Sequence, residues 1–219
     1  MRIDLHVHTC YSPDSLTSLR QVAHWMARHQ LDAVAITDHN STAGALALHA
    51  QLSHAVIVGE EIDTTHGEII GLFLEREIAA GLSPNETVAR IREQGGLVYL
   101  PHPFDRLRGL RMEETELQEL LAQTDVIEVL NARVTWTEDN RRAQACAAQR
   151  HLAAGAGSDA HLGAEIGRVY VELPPFEGAA GLLTALAQGQ VVGRISGPTV
   201  HLGSRAAYWI KHMQTVNRR

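Results

Sequence analysis

His6 and His8 stand one residue apart near the start of the chain, and Asp159 and His161 repeat that spacing far downstream. On an extended strand, side chains alternate between the two faces. Each pair can therefore offer two donors to one ion. Neutral imidazoles suit zinc, iron or manganese, and carboxylates add harder oxygen donors. Asp14, His39, Glu61 and His102 supply more donors of both kinds. Holding two cations close together needs a shared carboxylate to offset their repulsion, and Glu61 suits that role. The chain has thirteen histidines, too many for one site. His24, His29, His49, His54, His151, His201 and His212 fall on predicted helices or in loops, where surface or packing roles suffice. His66 falls in a predicted turn and reads as a solvated residue, and Cys10 reads as a packing residue.

What could bring such scattered residues together is a repeat of short apolar runs and longer amphipathic stretches, the pattern of βα units around a largely parallel sheet. Predicted strands are Ile3–Val7, Ala33–Ile36, Ala55–Val58, Ile69–Leu74, Leu97–Leu100, Val126–Leu130, Ala153–Ala156 and Val169–Leu173. The short connection around Thr64–Glu68 marks an antiparallel hairpin that interrupts the repeat. Predicted helices cover Leu16–His29, Thr42–Leu52, Asn85–Gln94, Glu113–Ala122, Asp139–Gln149 and Ala179–Gln188, with a shorter one from Ala206. Ser83, Pro84 and Glu86 form a cap, a first-turn proline and a capping box, and Gly95-Gly96 stop that helix. Ligand-type residues recur at or just after strands: His6 and His8, Asp38-His39, Glu60-Glu61, His102, Asn131, and Asp159 with His161. In a barrel of parallel strands these positions converge on one rim, where active sites are built.

The composition, 45% hydrophobic and 20% charged over 219 residues, fits a soluble globular protein. No linker, repeat or low-complexity run divides the chain, so residues 1–219 read as one domain. No signal peptide is expected, since the first motif begins almost at Met1, and no apolar run is long enough to span a bilayer. Cys10 and Cys146 do not make a disulfide framework, and a cytoplasmic location is expected. A net charge of −6 speaks against a broad nucleic-acid-binding face, although three divalent ions would add six positive charges and bring it to about zero.

The motifs Asp4-Leu5-His6-Val7-His8-Thr9, Ser12-Pro13-Asp14-Ser15, Ile36-Thr37-Asp38-His39-Asn40, Gly59-Glu60-Glu61, Pro101-His102-Pro103 and Gly157-Ser158-Asp159-Ala160-His161 follow one another in the order of a known family. The chain resembles members of the PHP family, the polymerase and histidinol phosphatase superfamily, of the small stand-alone phosphoesterase type. The resemblance implies a distorted (β/α)7 barrel, an α/β fold with its metal site at the C-terminal rim of the strands. It also implies two or three divalent metal ions, with Mn, Zn and Fe as candidates. His6, His8, Glu61 and Asp159 would hold the first ion, Glu61 and His102 the second, and Asp14, His39 and His161 the third. Asn131 stands where the family commonly has a histidine or cysteine, and its amide oxygen is a weaker donor. The implied activity is that of a metal-dependent hydrolase, a phosphoric ester hydrolase acting on a small phosphorylated metabolite or nucleotide through metal-activated hydroxide. Glu61, Asp159 and His161 would stand at the reacting centre. Arg106, Arg108 and Arg133, in loops after rim strands, are candidate phosphate clamps, with Asn131 beside Arg133. Asp38 would orient a ligating imidazole. The competing readings are a 3′–5′ nuclease-like phosphodiesterase and a catalytically impaired metal-binding regulatory protein. An aromatic content of 5% and the lack of a basic stripe disfavour the nuclease.

Overall fold

A computed structural model describes residues 1–197 and 200–216, with the side chains of 1–197 and 200–213. Among the described residues nine strands form one sheet in the order β7-β6-β5-β4-β3-β2-β1-β8-β9. They are β1 (Arg2–Val7), β2 (Ala33–Ile36), β3 (Val56–Thr64), β4 (Gly67–Leu72), β5 (Leu97–Leu100), β6 (Val126–Asn131), β7 (Ala153–Gly157), β8 (Val169–Glu172) and β9 (Gln190–Gly193). The sheet curls until β7 meets β1. Asp159 N donates to His6 O at 2.8 Å, and His8 N to Ala160 O at 3.0 Å, so the barrel is nearly closed at one end. Towards its other end β1 pairs instead with β8, antiparallel through Arg2 and Ile3, and β9 extends that edge. The architecture is the expected distorted α/β barrel, with nine strands rather than seven. β9 was not anticipated, because a four-residue strand with both ends exposed leaves little pattern.

The hairpin is as expected: β3 and β4 pair antiparallel from Gly59↔Leu72 to Thr64↔Gly67. β3 runs six residues beyond the predicted end at Val58, so Glu60 and Glu61 lie within the strand rather than after it. Because β4 runs against β3, its first residues lie at the rim, where the parallel strands have their last.

Helices are α1 (Leu19–His29), α2 (Ala43–His49), α3 (Pro84–Arg92), α4 (Glu114–Ala122), α5 (Thr137–Arg150), α6 (Gly178–Leu186) and α7 (Val200–Val216). α1 starts at Leu19 rather than Leu16 because Ser18 caps it in a capping box with Gln21. Ser83 and Glu86 form the expected box on α3. α7 begins six residues earlier than expected. Alternate residues of the strands feed two apolar layers. Val34, Ile36, Val56, Val58, Val98, Leu100, Ile127 and Val129 pack with helix residues such as Val22, Leu48, Val88, Ile91 and Ala143. Ala33, Ala35, Ile57, Leu97, Tyr99 and Val126 fill the other face. Among the described residues no helix is long and apolar enough to cross a membrane.

Candidate metal centre

All eight predicted ligands gather at the rim. His6 Nε2 and His8 Nε2 lie 3.1 Å apart, and both face Glu61 Oε2, at 3.3 and 3.2 Å. Asp159 Oδ1 lies 3.8 Å from His6 Nε2 and 3.5 Å from His8 Nε2. Donors held about 2.0–2.2 Å from one ion stand roughly 3.0–3.5 Å apart, close to this spacing. The other oxygen of Glu61, Oε1, faces His102 Nε2 at 3.2 Å, which is the posture of a shared carboxylate. On the far side His161 Nε2 lies 2.8 Å, and His39 Nε2 4.0 Å, from Asp14 Oδ2. His6, His8, Glu61, His102 and Asp159 are almost fully buried.

The imidazoles are held from behind. Glu128 Oε1 accepts from His6 Nδ1 at 3.1 Å, leaving Nε2 for the centre. Ser12 Oγ lies 3.0 Å from His8 Nδ1 and donates to Asp38 Oδ1, also at 3.0 Å. Asp38 thus acts on His8 through Ser12, while its carboxylate also accepts from Thr9 N at 2.5 Å. His161 Nδ1 donates to Asp159 O at 2.9 Å, which leaves Nε2 bare. Gly157 is required where β7 passes β1, because a Cβ there would lie 2.3 Å from His6 Cβ and 2.8 Å from Glu128 Oε1.

Imidazoles and carboxylates share the buried charge of the cluster. Burial opposes charge on His6 and His8, but Glu61 and Asp159 outweigh it. His6 is raised well above the usual imidazole range and His8 to about 9. Burial likewise opposes charge on Glu61 and Asp159, yet the imidazoles, and Arg108 in the case of Asp159, hold both carboxyls well below their ordinary range. Burial and the charge of His8 push His161 down to about 4. Asp14 Oδ1 and Asp159 Oδ1 are buried without hydrogen-bond partners. Mixed imidazole and carboxylate donors with orphaned oxygens fit divalent transition metals.

The other candidates are placed differently. Arg106 is exposed, paired with Asp139 at 3.0 Å and lying over Trp136 at 5.3 Å. Arg133 is buried; its guanidinium pairs with Glu165 at 3.2 Å and donates to Ser204 on α7 at 2.7 Å. Asn131 is buried, donating to Glu128 Oε2 at 2.9 Å and Asp159 Oδ2 at 3.2 Å, while its own Oδ1 accepts from Arg133 N. Arg108 reaches the centre, with Nη1 2.5 Å from Asp159 Oδ2 and Nη2 held by Asp105 at 3.1 Å. α7 lies against the rim loops, where Lys211 Nζ donates to the carbonyls of Cys10 and Ser12. Cys10, expected to pack, is exposed. Two carboxylates that no motif singled out also matter. Glu128 gathers four donors, and Glu68 lies with Glu61, His102 and His39. A cavity of about 580 Å³ lined by Met1, Ala33, Val56, Phe73 and Phe176 lies at the opposite end of the strands and includes none of these residues.

Residues 4–126 match the PHP domain model and residues 137–191 match the PHP-associated model. The chain belongs to the PHP family. It is 41% identical over 175 residues to an uncharacterised protein of Methanocaldococcus jannaschii, covering 78% of this chain and 70% of that one. Among solved structures it is similar to a two-domain protein from Bacteroides vulgatus containing a predicted PHP-like metal-dependent phosphoesterase. That match has a TM-score of 0.71 and 18% identity, and covers 89% of this chain and 65% of that one. It is also similar to the lesion-specific endonuclease Q of Pyrococcus furiosus, with a TM-score of 0.62, 15% identity, and coverage of 87% of this chain and 58% of that one. At these identities the structural likeness concerns the fold.

Proposed function

We propose that the chain is a metal-dependent phosphoesterase that hydrolyses a small phosphorylated metabolite or nucleotide. The observation that carries this reading is the approach of both Glu61 and Asp159 to His6 and His8 in one buried cluster, with Glu61 turned also towards His102. Two or three divalent cations, of Mn, Zn or Fe, would supply water activation near neutral pH and charge neutralisation at phosphorus. His6, His8, Glu61 and Asp159 hold the first ion, Glu61 and His102 the second, and Asp14, His39 and His161 the third. Among the described residues Arg108 is the arginine that touches the ligand cluster, so its guanidinium is the one placed to meet a phosphate oxygen. Residues 1–219 act as one barrel domain, and two free thiols fit a reducing compartment such as the cytoplasm.

A nuclease-like phosphodiesterase is the competing reading, favoured by the fold shared with endonuclease Q. The net charge of −6 and the 5% aromatic content support the small substrate. The test is turnover by the Mn²⁺-reconstituted protein of a chromogenic phosphate monoester, a panel of phosphorylated metabolites and nucleotides, and a single-stranded oligonucleotide. Hydrolysis of small esters is expected, falling to background in Asp159→Ala and unchanged in His212→Ala, whose ring is exposed and stacks on Tyr208. Turnover of the oligonucleotide alone would favour the nuclease. A metal-replete, folded protein that cleaves nothing would be a metal-binding regulatory protein instead.

A further inference from the structure

Glu61 and His102 give the second ion only two protein donors, whereas protein-held transition metals usually have three or four. The amide oxygen of Asn131 is not available to complete the set. Its NH₂ faces the carboxylates of Glu128 and Asp159, and its oxygen accepts from Arg133 N at 2.8 Å. Turning the amide over would set an oxygen against two carboxylates and an NH₂ against an N–H donor, so the network fixes its orientation.

Glu68 stands where a third donor is needed. The register pairs Glu61 with Ile70 and Asp63 with Glu68. Residues paired across antiparallel strands share a face, as do residues two apart, so Glu68 lies diagonally beside Glu61. Glu68 Oε2 is 3.6 Å from His102 Nε2, the same nitrogen that Glu61 Oε1 approaches at 3.2 Å. Glu68 Oε1 is 3.8 Å from His39 Nδ1. Oε2 is buried and has no hydrogen-bond partner. The nearby Arg108 gives its hydrogen bonds to Asp105 and Asp159. A buried carboxylate oxygen without a donor is costly unless a cation meets it.

We infer that Glu68 is a ligand of the second cation and completes its site with Glu61 and His102. This rests on the metal-centre reading above and adds the residue that makes the second site self-sufficient. Two carboxylates and one imidazole form a harder donor set than the two imidazoles and two carboxylates of the first site, so the second site favours Mn²⁺ more strongly over Zn²⁺.

Chelator-stripped full-length protein and its Glu68→Gln variant are titrated with Mn²⁺ by calorimetry. Crystals of the native protein soaked in Mn²⁺ are measured at the manganese edge. The variant is expected to lose one Mn²⁺ per chain, or to bind it at least about tenfold more weakly, with the remaining sites unchanged. The native crystal is expected to show an anomalous peak in contact with the Glu68 carboxylate. Identical stoichiometry and affinity in the variant, or an anomalous map with no ion against Glu68, would overturn the inference. Should the variant not fold, the native map decides alone. If the native protein takes up no Mn²⁺ at all, the metal-centre reading falls as well. If native uptake is normal and unaffected by Glu68→Gln, only the assignment of Glu68 falls.

Discussion

Glu128→Gln tests whether the centre is held from below by one buried carboxylate. Glu128 is fully buried, and its four partners all act as donors. Oε1 accepts from His6 Nδ1 at 3.1 Å and Tyr99 Oη at 3.0 Å, while Oε2 accepts from His102 N at 2.8 Å and Asn131 Nδ2 at 2.9 Å. A glutamine oxygen can serve His102 N and Asn131 Nδ2, but its NH₂ then faces Tyr99 Oη and His6 Nδ1, which must turn from donating to accepting. Two hydrogen bonds to a charged acceptor are lost, each about 1.5–3 kcal/mol, which sums to roughly 3–6 kcal/mol. Relief from burying a charge offsets part of this, so about 3 kcal/mol is the expected net destabilisation. For a chain of this size that is a fall in melting temperature of about 6–12 °C. Urea unfolding with chelator present measures this without a contribution from metal. Loss of the acceptor behind His6 also frees its tautomer, so Mn²⁺ affinity should fall about ten- to hundredfold by calorimetry. Stability within about 1 kcal/mol of native, together with unchanged Mn²⁺ affinity, would refute the reasoning.

Gly157→Ala puts a methyl group 2.3 Å from His6 Cβ, so it should destabilise the metal-free protein and weaken Mn²⁺ binding together; a variant with native stability would show that β7 can shift freely. Metal dependence should carry a pH signature. His8, with its pKa raised to about 9, keeps a proton at neutral pH that Mn²⁺ must displace, so affinity should rise by up to about tenfold per pH unit between 7 and 9. The same raised pKa stabilises the metal-free fold below the free imidazole value of 6.5, and that contribution is lost as pH rises through about 9. Chelation should therefore lower the melting temperature, and by more at pH 9 than at pH 7; a pH-independent gap would contradict this assignment of charge.

Most of the candidate ligands were legible because they follow one rule, placement at or just after strand ends, and because His-x-His and Asp-x-His spacings are readable on any strand, whereas Glu61 lies inside β3 and Asp14 in the loop after β1. Glu68 escaped that rule for a geometric reason. On an antiparallel strand the rim residues come first, so the start of β4 was the place to look once the hairpin had been read. Glu128 sits in the middle of a strand, where the only signal was a charge in the otherwise apolar run Val126–Leu130. A register shift between Glu128 and Leu130 accompanies this arrangement, in which Glu128 and Asn131 hydrogen-bond, and alternation alone does not reveal it. The arginines could be placed in rim loops but not aimed, since partners such as Glu165 and Asp139 for Arg133 and Arg106 depend on tertiary packing.

Three of the six non-glycine residues with positive φ among the described residues lie at the rim. His102 has φ 26° and Asp159 φ 52°, and Asn40, next to His39, has φ 51°. Residues with a Cβ pay about 1–3 kcal/mol each for such conformations, which persist only where the surroundings enforce them. Here the enforcing contacts come from below and beside the site. Glu128 Oε2 accepts from His102 N, Asp159 N donates to His6 O, and Asn40 N donates to Glu61 O. Each of these bonds joins a strained residue to a strand or to the buried carboxylate, so the barrel's own hydrogen bonding fixes the ligand directions before any ion arrives. The imidazoles and Arg108 offset part of the cost of gathering Asp14, Glu61, Glu68 and Asp159 at one rim, and cations would offset the rest. An ion that binds only the folded state offsets that repulsion by mass action. Rigid strands supply the geometry and metal would complete the charge balance, which is why loss of a positioning group such as Glu128 should be visible with chelator present, whereas loss of Glu68 should be visible chiefly in the metal titration.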